Sequence, residues 1–106
     1  MRDELLHQLA NEYDPGKGFI GKVRVGQFDE TALTRLLDLV RDCPSADDQQ
    51  VDGRMVRLLW WMSWIVEWQA QRLDGKGVSK DELRRAHSAI FSELERILAW
   101  RELGRD

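Results

Sequence analysis

Residues 53–73 constrain this chain more than any other segment, because their apolar residues run almost all the way round a helix. Placed every 100° about the axis, Trp60, Trp61, Trp64 and Trp68 share one arc of about 100°. Met55, Leu58, Leu59, Met62, Ile65, Val66 and Leu73 fill a second arc, and only Ser63, Glu67 and Ala70 are left as a narrow polar strip. Such a helix can exist in water in two ways. Either helices cover it on both sides, or it buries one face and offers the other to a partner. The tryptophans bear on that choice, because a buried indole N–H needs an acceptor and tryptophan is enriched at binding hot spots.

A membrane is not the expected cover. The longest apolar stretch, residues 58–66 with Ser63 inside it, falls far short of the roughly 20 residues a span requires. The chain has 106 residues, 42% apolar and 33% charged. That length suits a single domain over 1–106, and that balance suits a folded chain rather than a disordered one. It begins Met1-Arg2-Asp3-Glu4 without a following apolar segment, so a cytoplasmic protein is expected. Its one cysteine, Cys43, allows no internal disulfide.

Three further helices are predicted. Leu5, Leu6, Leu9 and Tyr13 form one stripe over 3–13, which Asp14-Pro15-Gly16 ends. Residues 15–28 hold four glycines and the alternating Val23-Arg24-Val25, the pattern of an irregular loop or a small β-hairpin. Asp29 is a candidate N-cap for a helix to Asp42 with Leu33, Leu36, Leu37 and Val40 inward. Residues 44–53 read as a polar surface loop, with Asp52 as cap of the tryptophan helix, which Asp74-Gly75 stops. Ser79 and Glu82 then match a capping box, with Val78 and Leu83 as its hydrophobic staple. The helix they start carries Leu83, Ala86, Ile90, Phe91, Leu94, Ile97 and Leu98 on one stripe, and Gly104 follows as a stop. About five residues join the last two helices, so they should form an antiparallel hairpin. The expectation is an all-α, compact four-helix domain built on that hairpin.

Several side-chain patterns suggest chemistry. Residues 1–53 carry six Lys/Arg against eleven Asp/Glu, and residues 54–106 carry ten against eight, so the net −3 divides into −5 in the first half and +2 in the second. Asp42, Asp47, Asp48 and Asp52 cluster around one loop, where a negative patch could steer a basic partner. Their order lacks the alternating oxygens and central glycine of a calcium loop. Residues 16–22 match the glycine and lysine spacing of a phosphate-binding loop, but Val23 stands where a hydroxyl should hold magnesium. His87, between Leu83 and Phe91, reads as a hydrogen-bonded core histidine, and Cys43 as a small apolar residue at a helix end.

These patterns favour a non-enzymatic protein-binding module without cofactor or metal. The concrete expectation is an immunity- or antitoxin-type inhibitor that neutralises a basic enzyme such as a nuclease. Asp42, Asp47, Asp48 and Asp52 would steer, and Trp60, Trp61, Trp64 and Trp68 would anchor. One alternative is a homo-oligomeric structural or regulatory domain that uses the tryptophans as its own interface. Another is a small nucleic-acid-binding regulator using Arg54, Arg57, Arg72, Lys76, Lys80, Arg84 and Arg85, although residues 53–73 have almost no polar reading face.

Overall fold

The computed structural model describes residues 2–43, 52–72 and 78–98. Among these residues the chain forms five helices and no strand: α1 (Arg2–Asn11), α2 (Phe19–Arg24), α3 (Glu30–Arg41), α4 (Gly53–Arg72) and α5 (Lys80–Leu98). The expected all-α fold is present, with α4 and α5 packed closely as a helical hairpin. The loop at 44–51, the connection at 73–77 and Gly104 lie outside the described residues.

The expected helix starts hold. Asp29 caps α3, its Oδ1 accepting the Ala32 N–H at 3.1 Å. Asp52 accepts the Arg54 N–H at 2.9 Å at the head of α4, and Ser79 accepts the Glu82 N–H at 3.3 Å at the head of α5. Val78 packs against the core, as a staple should.

The glycine-rich segment corrects the expectation, because α2 lies within the loop or small hairpin foreseen at 15–28 and brings the helices among the described residues to five instead of four. Phe19, Ile20 and Val23 share one side at helical spacing and are fully buried. Gly18 and Gly21 let that short helix approach the end of α1: a Cβ at Gly18 would overlap the Glu12 backbone, and one at Gly21 the Asp14 backbone. Gly26, with φ 86°, turns the chain into α3.

Helices α1 and α2 lie along α4, α3 lies on α5, and α1 and α2 also touch α3. The Cα envelope measures 44 × 32 × 18 Å. Its thin dimension fits two helix layers at the usual spacing of about 8–10 Å, and leaves no room for a third. Among the described residues helix α4 is therefore covered from one side.

Candidate functional site

Which face of α4 looks outward is decided by its two flanks. On one, the Tyr13 hydroxyl donates to the Leu58 carbonyl at 2.6 Å, and burial pushes that hydroxyl's pKa up to about 12. On the same flank Gln69 Nε2 donates to the carbonyls of Val23 and Arg24 at 2.8 and 3.1 Å, satisfying the open end of α2. On the other flank Glu67 Oε2 stands 3.8 Å from Nδ1 of His87 on α5. Between the flanks the buried arc is Met55, Leu59, Met62, Ser63, Val66, Gln69 and Ala70.

This arc corrects the polar strip expected from the sequence, since Ser63 and Ala70 are buried. Ser63 is tolerated because its hydroxyl donates back to the Leu59 carbonyl at 3.2 Å. The opposite arc is the exposed one. Trp60, Trp61, Trp64 and Trp68 are 45%, 50%, 41% and 54% exposed. All four of these α4 tryptophans lie outside the core.

Trp60, Trp64 and Trp68 stand one turn apart and pack on one another, with ring centroids 6.1 and 6.2 Å apart at 70° and 55°. Trp61 and Trp68 border a groove of about 790 Å³ between α4 and the corner of α1 and α2, with Tyr13, Arg24, Arg57 and Arg72 around them. Among the described residues no carboxylate lines this groove. The exposed tryptophan surface equals nearly two whole side chains, roughly 300–500 Å² at about 150–250 Å² each. That reaches the size of the largest patch an ordinary monomer exposes.

The aspartates are placed differently. Asp52 is partly buried, and hydrogen bonds from Arg54, first from the side chain and then from the backbone, hold its carboxyl below the ordinary range. Asp42 is exposed at the C-terminal end of α3. Asp47 and Asp48 lie outside the described residues. Asp52 precedes α4 and Trp60 follows it by eight positions, roughly 12 Å along the axis.

Other candidates resolve into structural roles. His87 is not a core histidine, because it lies half-buried at the edge of the α4–α5 seam, stacked on the exposed Phe91 with centroids 5.7 Å apart. Cys43 is buried, donates to the Leu39 carbonyl at 3.6 Å, and has its thiol pKa pushed up to about 11 by burial, the state of an inert thiol. Lys22 of the phosphate-loop-like segment pairs with Asp29 at 2.6 Å. Among the described residues no group of three or more His, Cys, Asp or Glu could hold a metal ion, and no helix is long and apolar enough to cross a membrane.

Sequence reasoning missed Glu12, which is buried beneath α2. Its Oε1 accepts the Phe19 N–H at 2.9 Å and its Oε2 the Arg35 Nε at 3.0 Å, so one carboxylate caps α2 and ties it to α3. It also missed the groove, because Arg24 belongs to a helix that was not foreseen. Comparison with protein-family models, curated proteins and solved structures returns no match to this chain.

Proposed function

We propose that this chain is a non-enzymatic protein-binding module whose contact surface is the outer face of α4. The supporting observation is the joint exposure of Trp60, Trp61, Trp64 and Trp68 on one face. Covering roughly 300–500 Å² of such surface would contribute on the order of 10 kcal/mol at about 25 cal/mol per Å². Association itself costs about 4–15 kcal/mol, so the tryptophans can anchor a complex if neighbouring contacts assist.

An inhibitor of the immunity or antitoxin type is one form of such a module, since it works by covering another protein's functional surface. The basic target expected for it has less support than the contact surface, because Asp52 is engaged by Arg54 and arginines border the tryptophans. The test is co-purification from the native cell with the wild type and with Trp64→Ser/Trp68→Ser. Circular dichroism would first establish that both are folded. We expect mass spectrometry to find at least one protein held by the wild type and lost from the variant. Identical protein sets would overturn the proposal.

A further inference from the structure

We infer that the groove between α4 and the α1–α2 corner receives an acidic amphipathic helix from a partner protein. Its apolar side chains would lie between Trp61 and Trp68, and its carboxylates would meet Arg24, Arg57 and Arg72. This inference rests on the protein-binding reading and specifies the partner's chemistry.

Charge is the first argument. Among the described residues every ionic side chain that lines the groove is a guanidinium, each of the three is exposed, and none forms a salt bridge. A basic segment would meet repulsion there, whereas carboxylates can take a guanidinium in bidentate fashion. Order along the groove is the second. Arg57 and Arg72 are fifteen positions apart on α4, about 22 Å at 1.5 Å per residue. Arg24 belongs at the Arg72 end, because its carbonyl accepts from Gln69. The groove therefore runs cation, aromatic and aliphatic wall, then two cations, which matches a helix of about four turns with acidic ends and an apolar middle. Area is the third argument. A stable interface covers about 800 Å² per partner, more than the tryptophan patch supplies, and the groove is continuous with that patch through Trp61 and Trp68.

A second copy of this chain fits less well. A two-fold axis crossing α4 near Trp64 would set Arg57 against Arg72 of the second copy, and an axis parallel to α4 would set like residues together, so guanidinium meets guanidinium either way. Single-stranded nucleic acid also fits less well. Trp60, Trp64 and Trp68 cover one another's rings and do not offer successive free faces to bases.

The test measures binding of three fluorescein-labelled probes to the full chain by anisotropy. The first is an amphipathic peptide of about 18 residues with glutamates at both ends and a leucine stripe between them. The second is the same peptide with lysines for glutamates, and the third is an oligothymidylate. We expect the glutamate peptide to bind about tenfold or more tighter than the lysine peptide, with affinity falling as salt rises. Arg57→Glu/Arg72→Glu should remove that preference, and Arg57→Gln/Arg72→Gln should reduce it with the fold intact. A lysine peptide that binds as well, an oligonucleotide that binds tighter, or no peptide binding overturns the inference. Concentration-dependent dimers in sedimentation, broken by changing Trp64 and Trp68, would assign the face to a second copy. If a native partner needs the tryptophans while these substitutions and the glutamate peptide have no effect, the acidic-helix inference fails and the binding-module reading stands.

Discussion

The two faces of α4 follow opposite rules. On the inner face every role in folding is filled: Leu59, Met62 and Val66 are completely buried, Ser63 returns its hydroxyl to the helix, and Gln69 closes α2. No buried side-chain polar atom among the described residues lacks a hydrogen-bond partner. On the outer face four tryptophans leave about half of their surface to water, three of them packed in a row and Trp61 at the groove. The first arrangement is what a packed layer requires, whereas the second leaves large apolar surface in water, where an ordinary helix carries polar residues. The difference separates the residues that make this domain from the residues that give it a surface to use.

The largest effect should come from the inner face. Leu59→Ala removes a fully buried side chain from the centre of α4 and should destabilise the domain by about 2–5 kcal/mol, read as a lower urea midpoint at unchanged slope. A loss below about 1 kcal/mol would mean the inner face is loosely packed, and the contrast would collapse. Glu12→Ala comes next, at about 1–3 kcal/mol, because it leaves the Phe19 N–H and the Arg35 guanidinium without their carboxylate. Arg35 is about half exposed and can turn to water, which keeps this effect below that of Leu59.

How much of this could be read from the sequence depends on whether the signal was local. Asp29, Ser79 and Asp52 act on amides two or three residues ahead, so their cap roles are visible in a linear reading. The hairpin of α4 and α5 follows from two strong stripes and a short connection. The tryptophan arc was visible too, but its exposure was not, because exposure depends on how many layers cover α4. Residues 15–28 failed for a different reason. Their glycines look like loop punctuation, yet Gly18 and Gly21 serve close approach to Glu12 and Asp14, a contact between elements. Gln69 carried a usable hint, being an amide on an otherwise apolar flank. Its acceptors are 45 and 46 positions away, and only the fold identifies them.

Stability should respond to pH through Tyr13, on the seam between the faces, and through Cys43, beyond the end of α3. Tyr13 keeps its proton up to about 12 in the folded chain, against an ordinary value of 10.0, and Cys43 keeps its own up to about 11, against 9.0. A folded-state pKa raised in this way gives stability that is complete below the unfolded value and disappears as pH rises through the folded one. The unfolding midpoint should accordingly fall from about pH 9 upward. Tyr13→Phe should cost about 0.5–1.5 kcal/mol near neutral pH through loss of the Leu58 contact, and should remove the part of the alkaline decline between 10 and about 12. An unchanged alkaline profile in the variant would detach Tyr13 from the seam.

The most informative change lies on the outer face itself. Trp64 is the least exposed of the four tryptophans and touches both Trp60 and Trp68, so it is the hardest case for the contrast between the faces. Trp64→Ser should cost about 1–2 kcal/mol, because it loses two partly solvated aromatic contacts at a site that is 41% exposed and opens no cavity. A core tryptophan would cost about 3–5 kcal/mol. A loss of that size would place Trp64 among the residues that make the domain, and its dependence on protein concentration would then tell whether a second copy covers it. Stability that rises with concentration in the wild type but not in Trp64→Ser would mean self-association, since whatever binds only the folded state stabilises it by mass action. A small, concentration-independent change would leave the outer face free for a different protein, which is the outcome the arginine-bordered groove favours.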